Sequence, residues 1–552
     1  MARGAALAAA VAVALLAVSG AGGAATQQTP KRGGTVIFGP VAESSCLNPL
    51  GPRSCGSGPQ FSWMLAKVLL GAFALAPDST WRPALVSHVE YTTRPPFTLT
   101  YHVRPEARWN DGVPVTARDF EFTFRAIVAG MPVDVLENDI HGLVRSTRVV
   151  NAKTFTMVLR ERTAYWRGGL FQLVLPRHAL AGHDLQKIWT DRIDNPNTGR
   201  PIGSGPFLVR GWDRGKQLTL VRNPRYWGPR PAYLDRLVIR YCQANCTAPT
   251  PAEVLESFRT GAVDMVYERE AVNVPELRRI PGAKVLLLRT DGWEHLTFRL
   301  RDGGHPVLRK SKVVRRAIAY GIDRAEIVRR LWGELDPRYP VLHNALLLNT
   351  DRHYAPNWNG YRYRPAFARS LLEHAGCRRG GDGIYSCGGQ RLSIRFVTSF
   401  NVSQRVRGIE LMQAQLRSVG IEVVPTYVTP QAFFGQPDGI VASGQFEAAA
   451  FAFVFLTDVP PKLLFGCGAQ GGGSSGYCQR LVTADLDQAD RIFDDAQRAR
   501  VLNRADRRVA KDVPLIPLYQ IPYLYAYKNT LRNVVPSPQN LFWNAEDWWL
   551  DR

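Results

Sequence analysis

Long apolar runs are what this 552-residue chain lacks once its first two dozen residues are passed. No later stretch approaches the ~20 apolar residues of a bilayer-spanning helix. The nearest, Ala448–Leu456, has strand length and follows Glu447, which excludes a body threaded through a membrane. Histidine is sparse, ten residues scattered along the chain. His178 and His183 lack the following glutamate of a zinc-protease helix, and no tetrahedral ligand set is legible. No glycine-rich loop ending in Lys-Ser or Lys-Thr cradles nucleotide phosphates, so nucleotide hydrolysis must reside in another polypeptide. The letters G-x-S-x-G at Gly472, Ser474 and Gly476 fall in a glycine-rich loop, whereas a nucleophile elbow needs a strand before it and a helix after it. These absences count against an enzyme without removing it, because carboxylate pairs can assemble from distant segments. Acidic residues are also short, 47 against 69 basic ones, for a net charge of +22. The excess is spread out, with no basic tail or nucleic-acid module, so nucleic acid is not an expected partner. It reads as a basic surface suited to an anionic cell envelope, or equally as plain arginine-rich composition.

What is present begins with an export signal. Arg3 gives a positive start, Ala5–Val18 an apolar stretch and Gly20–Ala25 small residues, which predicts a signal peptide over residues 1–25. A stretch of about 14 residues falls short of a membrane anchor. The first cysteine is Cys46, so no lipid-anchor cysteine follows the signal. The expected location is the periplasm or cell-envelope space, on the outer face of the cytoplasmic membrane. Eight cysteines form four close couples, Cys46 with Cys55, Cys242 with Cys246, Cys377 with Cys387, and Cys467 with Cys478. An even count behind an export signal favours disulfides, and proximity pairs them locally, although spacing alone leaves the connectivity open.

The length requires two or three lobes, since single cores stop growing near ~250–300 residues. Helical and strand-like patterns alternate, which argues for an α/β protein. Leu392, Ile394 and Phe396 alternate as a strand. Val406, Ile409, Met412, Leu416 and Val419 then mark one helix face, Gly420 its C-cap, and Ile421–Val428 the next strand. That is a βαβ unit with parallel strands. Thr116 with Asp119, and Asp323 with Glu326, read as helix N-caps, while Pro365 opens a helix closed at Gly376.

From about Gly33 onward the chain resembles the bacterial extracellular solute-binding proteins of family 5, the dipeptide, oligopeptide and nickel-binding group. The residues that carry the resemblance are Tyr101–Phe124 (YHVRPEARWNDGVPVTARDFEFTF), Gly203–Trp227 and Val314–Ile327 (VRRAIAYGIDRAEI), with Tyr363–Gly376 and Gln413–Val423 behind them. Turn and cap chemistry dominates these blocks, so they identify the scaffold rather than the ligand. The resemblance implies an α/β, two-lobed periplasmic-binding-protein-like fold of the class II type, with an extra inserted subdomain in lobe I. Lobe I is expected from residues 33–80, 200–288 and 525–552, the inserted subdomain from 81–199, and lobe II from 289–524.

The implied function is capture of a peptide in an interlobe cleft by hinge closure, as the solute-binding component of an ABC importer that delivers to membrane permease subunits. Neither cofactor nor metal is expected, and a monomer is. In the family-like stretch Phe453–Pro461, Asp458 takes the position that receives a ligand α-amino group, with Phe455 as an apolar wall. Glu43, Ser44 and Ser45, after the first strand, are further cleft candidates. Arg299 departs from the family asparagine and either meets a ligand carboxylate or is a surface arginine. The same fold with a sugar, haem or metal chelate is the alternative ligand reading. An exported hydrolase or an envelope sensor are the alternatives outside transport.

Overall fold

The computed structural model describes residues 29–50, 59–129, 140–242, 246, 249–269, 271–435, 438–453, 460–468 and 473–551. A ten-stranded mixed sheet runs through it. Its strands, in chain order, are β1 (Thr35–Val41), β2 (Phe207–Asp213), β3 (Gln217–Arg222), β4 (Arg236–Tyr241), β5 (Met265–Glu268), β6 (Ala283–Phe298), β7 (Ser393–Ser399), β8 (Glu422–Val428), β9 (Ala448–Phe453) and β10 (Leu515–Lys528). They lie in the order β2-β3-β4-β1-β5-β10-β6-β9-β7-β8. β1 to β5 build one lobe and β7 to β9 the other. β6 and β10, 16 and 14 residues long, pass through both.

The two long strands are antiparallel, with Ala283 opposite Lys528 at one end and Thr297 opposite Leu515 at the other. Midway the ladder breaks: Thr290, Asp291 and Gly292 stand against Ile521 alone, and a second shift separates Glu294 from His295. Pro522 pairs with Arg289 at the edge of the first break, and Pro517 with His295 just after the second. Proline has no N–H for a ladder, so two prolines fit a central strand only beside such irregularities.

The βαβ unit read from sequence is present. β7 pairs in parallel with β8, from Ser393 opposite Glu422 to Ser399 opposite Val428. The helix Ser403–Val419 between them buries Ile409, Met412, Leu416 and Val419, and Gly420 closes it in the left-handed conformation. A separate four-stranded antiparallel sheet lies within residues 86–159.

The family-like blocks act as scaffold. Gly112, at φ +98°, donates to the Trp109 carbonyl, and Asn110 reaches Gly203 through both its backbone N–H and its side-chain carbonyl, so the first block is tied to the second. Thr116 and Asp119 form a capping box, and Asp119 also accepts from the Arg177 backbone at 2.9 Å. Asp323 caps the helix Arg324–Trp332. Arg324 is buried and donates to the carbonyls of Leu342, Pro517, Trp358 and Tyr361; burial lowers its pKa to about 10.

Two large apolar clusters result. One joins β1 to β4 with the 86–171 region through Phe38, Trp63, Tyr101, Trp109, Phe120 and Trp166. The other fills the second lobe around Ile318, Trp358, Phe396, Ile409 and Leu416, and continues beneath β5 through Val254 and Phe258. Disulfides join Cys242 to Cys246, Cys377 to Cys387 and Cys467 to Cys478. Cys46 is also disulfide-bonded, and Cys55 lies outside the described residues.

Candidate functional site at the lobe junction

Strand direction fixes which ends meet. β1 runs parallel to β4 and β5, and β5 runs antiparallel to β10, with Met265 opposite Tyr527 and Glu268 opposite Leu524. The carboxyl ends of β1, β4 and β5 therefore point along β10 toward Gln520. In the other lobe β7 is parallel to β8 and β9, and β9 is antiparallel to β6 with Phe453 opposite Trp293. The carboxyl ends of β7, β8 and β9 point back toward Thr290. Both sets converge on the broken ladder at Thr290–Gly292 and Gln520–Ile521, the kind of crevice where open α/β sheets take ligands.

The junction is held by its own polar groups. Thr290 Oγ1 donates to the Ile521 carbonyl at 3.0 Å and accepts from Gly292 N at 3.1 Å. Gln520 Nε2 donates to Thr350 Oγ1 at 3.0 Å and to the Thr290 carbonyl. Asp291, in the middle of the break, has no ion pair among the described residues, and burial pushes its carboxyl up to about 6. Next along β6, the His295 ring lies 4.9 Å from that of Trp293 and 4.5 Å from that of Phe451, both edge-on, and 4.1 Å from the tilted ring of Phe453.

His295 is fully buried. Burial first, and the Arg405 charge second, hold it well below the usual imidazole range, so it is neutral. Trp293 Nε1, His295 Nε2, Ser399 Oγ and Gln520 Oε1 are buried without a hydrogen-bond partner among the described residues. Such orphans are uncommon and call for a cause. Glu294, between Trp293 and His295, pairs instead with Arg405 at 2.8 Å, both side chains under 10% exposed. Burial opposes the Arg405 charge, but the Glu294 carboxylate outweighs it and raises the pKa.

The residues singled out from sequence are dispersed. Glu43 follows β1 toward the junction, and its carboxylate is held by Trp212 Nε1 at 2.6 Å and Gly215 N at 3.1 Å. The carbonyl of Ser45 accepts from Arg214, which lies over the Trp212 ring, and Ser44 is buried beside it. Phe455 and Asp458 follow β9 in sequence and lie outside the described residues. Arg299 is not brought to the junction. It follows the far end of β6, where its guanidinium donates to the carbonyls of Ser474 and Asp302 and pins the loop closed by Cys467 and Cys478. Gly473–Ser475 form a short 3-10 turn there rather than a strand-to-helix elbow.

Sequence reasoning missed Asp291, the His295 cluster and the Glu294–Arg405 pair. The signal available was the Asp291-Gly292 step inside an apolar run, which reads as a hairpin turn and is here a break within one strand. A second contact between the lobes lies away from the junction. Ala164 N donates to the Asp490 carbonyl at 2.6 Å, Arg491 meets Glu161 at 3.2 Å, and Phe493 packs on Tyr91 beneath Arg162.

Residues 80–474 match the profile described as bacterial extracellular solute-binding proteins, family 5. The oligopeptide-binding protein OppA of Mycobacterium tuberculosis is 27% identical over 493 residues, covering 87% of this chain and 78% of OppA. Among solved structures, the periplasmic EDTA-binding protein EppA superposes with a TM-score of 0.81 at 20% identity, over 95% of this chain and 98% of EppA. The oligopeptide-binding protein AppA from Bacillus subtilis, in complex with a nonapeptide, gives 0.73 at 19% identity over 95% and 100%. The chain therefore belongs to the family 5 bacterial extracellular solute-binding proteins.

Proposed function

We propose that this protein is the exported solute-binding component of an ABC importer, which captures a peptide-like solute between its lobes, closes over it and presents the closed form to membrane permeases. The observation that carries the reading is the convergence of strand ends from both lobes on one broken pair of crossing strands. A ligand there touches both lobes at once, and closure by hinge motion follows from that geometry. The family is one of binding proteins, and no reaction is assigned to this chain. No helix among the described residues is long and apolar enough to cross a membrane. Main-chain hydrogen bonds to an extended peptide would give affinity without strict sequence preference.

Asp458 is the proposed counter-ion for the ligand's cationic amine, with Phe455 as an apolar contact and Glu43, Ser44 and Ser45 as further cleft residues. Asp291 is a second carboxylate at the junction. Its raised pKa reflects burial without a cation, and a bound ammonium would supply one. The test is mass spectrometry of solute retained by gently purified protein, followed by thermal-shift screening of di- to hexapeptides. A shift with free-amine peptides, lost in Asp458→Ala far more than for N-acetylated peptides, supports the reading. Stabilisation by a sugar, haem or metal chelate with no response to peptides would overturn the peptide assignment.

A further inference from the structure

The sparse histidines hide one juxtaposition that chain spacing does not reveal. In the four-stranded sheet of the inserted segment, the strands Val86–Tyr91 and Phe97–Val103 place His88 directly opposite His102. Glu90 lies two residues beyond His88, so alternation along the strand turns it to the same face. The imidazole rings stack 4.2 Å apart and 10° from parallel. Both Nε2 atoms are directed at one carboxylate oxygen, His88 Nε2 lying 3.8 Å and His102 Nε2 3.6 Å from Glu90 Oε1. The candidate ligand atoms all lie within 4.8 Å of one another.

Ser87 Oγ lies 3.2 Å from the His102 carbonyl, to which it can donate, and 3.0 Å from His88 Nδ1. When Nδ1–H donates into that hydroxyl, His88 keeps its Nε2 lone pair for a metal and is held by an outer hydrogen bond, the arrangement that metal-ligating histidines use. His102 Nε2 is itself buried without a hydrogen-bond partner.

We propose that His88, Glu90 and His102 form a binding site for a borderline divalent metal ion such as Zn²⁺, Ni²⁺, Co²⁺ or Cu²⁺, separate from the lobe junction. Two imidazole nitrogens and one carboxylate are the donor set these ions take, whereas Mg²⁺ and Ca²⁺ prefer all-oxygen shells. Metal–ligand bonds of about 2.0–2.2 Å bring tetrahedral donors to about 3.3 Å of each other. Rotation of the exposed His88 and Glu90 side chains, 57% and 67% accessible, closes the difference. Three protein ligands leave the ion a coordination position for water or an external donor. The inference does not depend on what the lobes bind.

The test uses the full-length chain free of any histidine tag, titrated calorimetrically with Zn²⁺ alone, and Cu²⁺ electron paramagnetic resonance to count coordinated nitrogens. One Zn²⁺ per chain is expected, with two imidazole nitrogens on Cu²⁺, weakened at least tenfold in Glu90→Gln and more in His88→Asn. Both substituted side chains are solvent-exposed, so metal-free melting temperatures are expected to match the parent and separate loss of a ligand from loss of the fold. Absence of Zn²⁺ binding by the parent, or equal affinity in the parent and both variants, would overturn the proposal.

Discussion

Asp291 and Glu294, three residues apart on β6, are carboxylates with different partners. Glu294 has Arg405 against it, whereas Asp291 has only its own backbone N–H opposing the burial that lifts it to about 6. Removing one member of a buried pair leaves an uncompensated charge, so Glu294→Gln is expected to cost about 3–5 kcal/mol in urea unfolding. Glu294→Gln combined with Arg405→Met should recover part of that loss. Asp291 binds its proton more tightly folded than unfolded, so its ionisation reduces stability as pH rises from about 4 to about 6. A bound ammonium favours the ionised carboxylate. Ligand affinity should therefore climb with pH up to about 6, by at most about tenfold per pH unit for one linked proton. In Asp291→Asn, isothermal titration across that range should show the slope flattened.

At the scale of elements, what could be read from sequence and what could not divide along a physical line. The β7–helix–β8 unit was legible because its apolar residues keep one period each and Gly420 ends the helix in a conformation that a Cβ would strain, with the Tyr385 ring 2.7 Å from where that atom would stand. Thr116 and Asp323 were legible as caps because capping is local. β6 and β10 were not, because Asp291-Gly292, Pro517 and Pro522 are turn and breaker residues by local rules. Only the partner strand turns them into bulges. His88 and His102 were missed for the same reason, as register rather than spacing joins them. Asp458 was read from family likeness alone.

Strand direction carries Arg299 to the end of β6 opposite the junction. Arg299→Ala is expected to lower the melting temperature through loss of its bond to Ser474 and to leave ligand affinity unchanged. Opening the Cys467–Cys478 bridge by a double Cys→Ser replacement is expected to cost about 2–3 kcal/mol, the loop-closure value for a loop of roughly ten residues. Chemical denaturation under non-reducing conditions measures it.

For the whole molecule, the lobes meet at the crossing strands and, away from them, where Glu161–Ala164 touches Asp490–Phe493. Asp490 is part of the second contact. Burial pushes its carboxyl up to about 7, with Lys462 opposing and Asp487 and Glu161 adding to the rise. Because the folded pKa lies above the unfolded one, the folded state holds the extra proton between about pH 4 and pH 7, and stability falls as pH rises through that window. Asp490→Asn is therefore expected to match the parent near pH 4 and to melt higher at pH 8. The direct test of solute capture between the lobes is hydrogen–deuterium exchange with and without the solute found retained on the purified protein, or a di- to hexapeptide mixture if none is retained. The account predicts joint protection of residues 41–45 of one lobe, 453–461 of the other and the break at 290–293 between them. Protection confined to a single lobe, or no change with any solute, would contradict it.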